Sequence, residues 1–127
     1  MSSKSVLRIL FGLALVLLLA ACSSGGSSAS PTSSGQTVNL NALDTFRYDP
    51  NTITAKVGQP IHLVLVNQGN LEHSFVIDAL NVKLEHVQGK ATGDTTFTPA
   101  AAGTYVFYCN TPGHQAAGMT GTLIVNP

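Results

Sequence analysis

Cys109, His114 and Met119 stand at five-residue intervals in the stretch Tyr108-Cys109-Asn110-Thr111-Pro112-Gly113-His114-Gln115-Ala116-Ala117-Gly118-Met119. A thiolate, an imidazole and a thioether at this spacing are three donors for one soft metal ion. A fourth donor, His73, lies upstream in Leu71-Glu72-His73-Ser74-Phe75. Soft sulfur favours Cu(I), whereas imidazole also suits Cu(II). Two histidines, one cysteine and a weak axial methionine therefore fit one copper ion that exchanges a single electron between Cu(I) and Cu(II). Zinc would take the cysteine and the histidines but leave the methionine unexplained. A dinuclear copper centre needs a second cysteine in the loop, and this loop has none.

Such donors need a rigid frame, and the pattern of the chain supplies an all-β one. From Thr37 onward the residues are rich in Val, Thr, Ile and aromatics, punctuated by Gly, Pro and Asn, with no sustained helical period. Strands are expected over Thr37–Phe46, Thr52–Val57, Ile61–Val66, Ser74–Asp78, Thr95–Thr98, Thr104–Cys109 and Thr120–Val125. Residues 79–92 fit a short helix, an irregular excursion or an edge strand. The near-continuous apolar run IHLVLV at Ile61–Val66 is the best central strand. Seven or eight short strands suit a two-sheet Greek-key sandwich. Its core candidates are Phe75, Phe97, Tyr105, Phe107, Leu123 and Val125. Tyr105, Phe107 and Cys109 share one strand face by the period of two, which brings Cys109 to the end of the sandwich. A loop from there, bent at Gly113, Gly118 and Gly121, would return His114 and Met119 to the same point.

The first 21 residues read as an export signal rather than as part of the fold. Lys4 and Arg8 form a short basic region, and Val6 to Ala21 is otherwise almost wholly apolar. Leu19-Ala20-Ala21-Cys22 resembles a bacterial lipoprotein processing box, which implies that Cys22 carries lipid. A secreted chain with an unmodified Cys22 and a permanent membrane anchor are the alternatives. All three place the domain outside the cytoplasm, at the outer face of a membrane or in the periplasm. Residues 22–36, including the run SSGGSSASPTSSG, form a flexible tether, and 37–127 form the domain. The two cysteines, Cys22 and Cys109, each have a separate explanation, so a disulfide between them is not expected.

The chain has six Lys and Arg and six Asp and Glu. Without Lys4 and Arg8, four basic and six acidic residues remain, a formal charge of −2. No basic block is available to neutralise phosphates, which argues against nucleic acid as a partner. A domain of this size supports one core, and a monomer is the default.

The domain resembles the cupredoxins, the type 1 or blue copper proteins, over nearly all of residues 37–127. The resemblance rests on His73-Ser74-Phe75, on Gly103-Thr104-Tyr105 leading to Cys109, on Pro112-Gly113-His114, and on Gly118-Met119-Thr120-Gly121-Thr122-Leu123. The equal four-residue gaps are more similar to those of rusticyanin and the auracyanins than to those of plastocyanin. The resemblance implies that His73, Cys109 and His114 form a trigonal copper set and that Met119 is a longer axial ligand. The Leu71 carbonyl occupies the position of a still weaker axial oxygen. Ser74 stands where many cupredoxins have Asn, and its amide is expected to reach the Cys109 sulfur. Thr111 retains an N–H that is a second candidate donor to that sulfur. Two such bonds imply a moderately high potential.

An electron carrier without substrate chemistry follows from this resemblance. His114 is the expected electron port, framed by Pro112, Ala116 and Ala117 as a small apolar docking collar, with His73 more deeply buried. The expected partners are cytochrome c, a cytochrome or copper oxidase, or another membrane electron-transfer complex. A copper chaperone or scavenging lipoprotein is the main alternative, and a binding module without redox function is a third. His62 and His86 are expected to be structural or solvent-facing. Tyr48, Tyr105 and Tyr108 are expected to pack.

Overall fold

The computed structural model describes residues 34–127. The expected signal, Cys22 and the tether up to residue 33 lie outside the described residues. Nine strands follow: β1 (Gln36–Leu43), β2 (Arg47–Asp49), β3 (Thr52–Lys56), β4 (Ile61–Asn67), β5 (His73–Ile77), β6 (Val82–Val87), β7 (Thr92–Phe97), β8 (Gly103–Tyr108) and β9 (Thr120–Asn126). They form a four-stranded sheet in the order β2-β1-β4-β7 and a five-stranded sheet in the order β3-β9-β8-β5-β6. The pairs β1–β4 and β3–β9 are parallel, and all others are antiparallel. The expected Greek-key β-sandwich is the architecture found. No helix among the described residues is long and apolar enough to cross a membrane.

Alternation sets the inner faces. In β4, Ile61, Leu63, Leu65 and Asn67 are buried, while His62, Val64 and Val66 are half-buried on the other face. His62 meets Asp94 there at 3.0 Å, away from the metal-ligand candidates. Strand β5 differs in being buried at all five positions. The core is organised by aromatic rings. Tyr48 and Phe107 lie 5.2 Å apart with the edge of one ring turned to the face of the other, and Phe75 and Phe107 lie 5.0 Å apart with their planes tilted by 37°. Phe75 and Phe107 are fully enclosed, each gaining about 1.5–3 kcal/mol from burial. Phe97 and Tyr105 lie at the rim instead, half-buried, with the Tyr105 hydroxyl donating to the Ala101 carbonyl at 2.9 Å.

Three local differences from the sequence reading matter for the site. The first expected strand, Thr37–Phe46, breaks after Leu43 into a tight turn, Asp44–Phe46, before β2. The uncertain stretch 79–92 holds part of a 3-10 turn, Asp78–Leu80, and the edge strand β6. Gly121 is not a bend: a Cβ there would overlap the Phe107 ring, so glycine provides the slot that lets this ring lie under β9.

Candidate metal centre

His73 opens β5, Cys109 follows the last residue of β8, and Met119 precedes β9. Because β5, β8 and β9 lie in one sheet, their ends converge at one end of the sandwich. The intervening loop is braced by its own hydrogen bonds. The Cys109 N–H donates to the Met119 carbonyl at 3.1 Å, and the Met119 N–H to the His114 carbonyl at 3.0 Å. The His114 N–H donates to the Thr111 carbonyl at 3.0 Å, and Ala117 N–H to the Gly113 carbonyl at 3.0 Å. Gly113 and Gly118 take the positive φ values, 84° and 102°, that this coil requires.

The loop thereby brings the expected donors together. Nδ1 of His73 and Nδ1 of His114 are 3.2 Å apart, and Cys109 Sγ is 3.5 Å from the latter. One donor atom from each of the three residues lies within 4.8 Å of the others. His73 and Cys109 are 0% exposed and His114 is 8% exposed, so His114 alone of the three approaches the surface. Met119 is fully buried in the same core cluster as Cys109. Burial holds the His73 imidazole below the ordinary histidine range, which favours the neutral, coordinating form.

Two inward ring nitrogens and one thiol, with water excluded, are the donors of a trigonal copper site. The residues present fit that ion: the donor set is soft enough for Cu(I), and its imidazoles suit Cu(II). They would also hold the site steady, because both imidazoles are backed by a neighbouring side chain. Asp44 lies 3.3 Å from His73 Nε2, the outward nitrogen. Amide N–H groups of Asn70 and Leu71 hold that carboxylate below the usual acidic range, the Asn70 contact contributing most. Phe46 meets the His114 ring edge-on, with centroids 4.9 Å apart.

Hydrogen bonds to Cys109 differ from the expected pattern. Among the described residues the polar side-chain atoms within hydrogen-bonding distance of the sulfur are Ser74 Oγ at 3.4 Å and His114 Nδ1 at 3.5 Å. The Ser74 hydroxyl, not its amide, is the group in reach, and it also lies 2.6 Å from Asn110 Oδ1. The Asn110 N–H donates to the same hydroxyl at 2.8 Å. The Thr111 hydroxyl is buried without a partner among the described residues. Leu71 is exposed, and its carbonyl accepts from Asn67 Nδ2 at 2.7 Å. Pro112, Ala116 and Ala117 are exposed around His114. His86 is exposed and meets Glu72 at 3.0 Å.

A profile of the cupredoxin-like domain family matches residues 12–125. The chain belongs to this family. The copper-resistant cuproprotein CopI of Rubrivivax gelatinosus is 31% identical over 109 residues, covering 71% of this chain and 66% of that one. Auracyanin-A of Chloroflexus aurantiacus is 33% identical over 101 residues, covering 74% of this chain and 62% of that one. The chain thus spans just under two thirds of the length of either relative. In shape, this cupredoxin-like domain is similar to reduced auracyanin from Roseiflexus castenholzii, with a TM-score of 0.67 at 24% identity, over 74% of this chain and 99% of that one.

Proposed function

We propose that this chain is a one-electron carrier with a mononuclear type 1 copper centre. His73 and His114 bind through Nδ1, Cys109 through its thiolate, and Met119 as the weaker axial ligand. The observation that carries the reading is the convergence of two Nδ1 atoms and one thiol in a closed pocket. Auracyanin A, described as a "blue" copper protein, supports the same chemistry. Copper, when bound, supplies the exchange of one electron between Cu(I) and Cu(II).

The protein's contribution is to hold the donors still. The braced loop fixes Cys109, His114 and Met119 relative to one another. Asp44 and Phe46 hold the backs of the two imidazoles. A pocket that does not rearrange limits the energy of each transfer. The buried donors leave no open position for a substrate, consistent with a carrier rather than an enzyme. The slightly exposed edge of His114 is the electron port, and the exposed Pro112, Ala116 and Ala117 form the docking collar. Cytochrome c, a cytochrome or copper oxidase, or another membrane complex is the proposed class of partner. We further propose that a lipid on Cys22 holds the domain at the outer face of a membrane, with residues 22–36 as its tether. The basic, apolar and Leu-Ala-Ala-Cys segments, in that order, support this reading.

A second reading, copper storage or delivery, is favoured by the likeness to CopI, whose name records copper resistance. One experiment separates the two. The purified protein is loaded with one equivalent of Cu(II), and its visible absorption, electron spin resonance and voltammetry are recorded. An intense thiolate-to-copper band, a narrow hyperfine splitting and rapid reversible reduction support the carrier. An ordinary tetragonal copper signal, or release of the metal on reduction, favours copper handling.

A further inference from the structure

Strand β6 carries an irregularity beside the site. His73 pairs with Val87 and Phe75 with Leu84, so both Glu85 and His86 stand opposite the single residue Ser74. His86 takes a φ of 60°, and both extra-register side chains are exposed. An inserted residue of this kind re-aims side chains. Here His86 turns to Glu72, the neighbour of His73, and Glu85 accepts a hydrogen bond from the Asn110 side-chain amide. Asn110 is the neighbour of Cys109.

An ionised carboxylate only accepts hydrogen bonds. Glu85 therefore orients the Asn110 amide with its NH2 outward and its oxygen inward. The inward oxygen lies 2.6 Å from Ser74 Oγ, which already accepts the Asn110 backbone N–H at 2.8 Å. The Ser74 hydroxyl has one proton and two acceptors in reach, Asn110 Oδ1 at 2.6 Å and Cys109 Sγ at 3.4 Å. With the amide held this way, the oxygen takes the proton.

We infer that Glu85 is a positioning residue that keeps the Ser74 proton away from the Cys109 sulfur by fixing the orientation of Asn110. The inference rests on the copper-carrier reading. Turning the Asn110 amide over reverses the arrangement. Ser74 Oγ then accepts two N–H groups, which its two lone pairs allow, and its proton passes to Cys109 Sγ. No polar group of the chain Asn110–Ser74–Cys109 is left unpaired by the change. A proton donated to the thiolate withdraws charge from the copper bond and favours the reduced state.

The test compares copper-loaded wild type with Glu85→Ala, Glu85→Gln and Glu85→Lys, each with Ser74 intact and with Ser74→Ala. Potential and the energy of the thiolate-to-copper band are read in each. Glu85→Gln should stay near wild type, because its oxygen accepts from Asn110 in the same sense. Glu85→Ala should raise the potential and move the band to higher energy. Glu85→Lys, which can only donate, should move the band further. The band shifts should vanish in the Ser74→Ala background. In the Cu(I) protein, the Asn110 side-chain amide resonances should move in Glu85→Ala but not in Glu85→Gln. A purely Coulombic role would give equal band shifts for Ala and Gln and preserve them without Ser74, which overturns the inference. A wild-type protein with no thiolate-to-copper band overturns the carrier reading itself. A normal band that no Glu85 substitution moves overturns only the inference about Glu85.

Discussion

Nε2 of His73 lies 3.3 Å from Oδ1 of Asp44, on the side of the ring away from the nitrogen that faces His114. The same carboxylate accepts the amide N–H groups of Asn70 at 2.8 Å and Leu71 at 3.2 Å. One side chain thus fixes both the imidazole and the loop that delivers it. Two residues further along the same turn, Phe46 supports His114. A three-residue turn between β1 and β2 therefore backs both histidines, although neither belongs to it.

Asp44→Asn should weaken copper binding by about 10- to 100-fold, the usual cost of losing an outer partner of a metal-binding histidine. Competition with a copper chelator of known affinity measures this. Gly69→Ala should behave similarly, because a Cβ at Gly69 would overlap the Asp44 carboxylate and displace it. Loss in Gly69→Ala alone would assign the effect to loop strain and not to the carboxylate.

Met119→Leu preserves most of the buried volume and should change stability by less than about 1.5 kcal/mol. If the thioether is the axial ligand, the visible copper band persists and the potential rises, since losing one electron-donating ligand destabilises the more highly charged Cu(II) more than Cu(I). Voltammetry and absorption decide it. An unchanged potential would make Met119 a core residue only.

The Tyr48 hydroxyl donates to the Ser74 carbonyl at 2.5 Å. Burial first, then the nearby Cys109, push its phenol far above the ordinary tyrosine range. A group that holds its proton more tightly in the fold stabilises the fold below its unfolded value, about 10, and that contribution is lost as pH rises towards the folded value. Urea unfolding should show stability falling in strongly alkaline solution. Tyr48→Phe should remove part of that fall and lower neutral stability by about 0.5–1.5 kcal/mol, the net worth of a hydrogen bond. Tyr108, hydrogen-bonded to Asp78 at 2.8 Å and also raised, accounts for a further part.

Thr111→Val should be neutral or stabilising by up to about 1 kcal/mol. The hydroxyl it removes is buried without a partner among the described residues, and an unsatisfied buried group carries a desolvation cost of about 1–3 kcal/mol. The midpoint of denaturant unfolding reports it. A clear loss of stability would mean that the hydroxyl has a partner in solution.

Cys109, His114 and Met119 are readable from sequence because one loop carries all three and their chemistry is unusual at that spacing. The apolar run of β4 and the period of two in β8 likewise reveal the sheets that hold them. The supporting residues are not readable in this way. Asp44 reads as one more residue of the expected first strand, and its partner His73 lies 29 positions away. Glu85 reads as a solvated charge, and only the extra residue in β6 aims it at Asn110, 25 positions on. Phe46 ends what reads as a continuous strand, and only the turn after Leu43 sends its ring to His114. Periodicity shows which face a residue occupies; it contains no record of which distant strand end will lie beside it.

The place of β9 between β3 and β8 has a consequence for how the protein is made. The larger sheet lacks an inner strand until residues 120–126 have been synthesised, and β3 has no neighbour in that sheet before then. Met119 and the loop that returns it to Cys109 close with the same event. Pairings between strands so far apart in the chain are slow to form. Until they do, Cys109 is an uncovered thiol, open to oxidation. The growing chain therefore passes through an interval of redox vulnerability that ends only when β9 inserts.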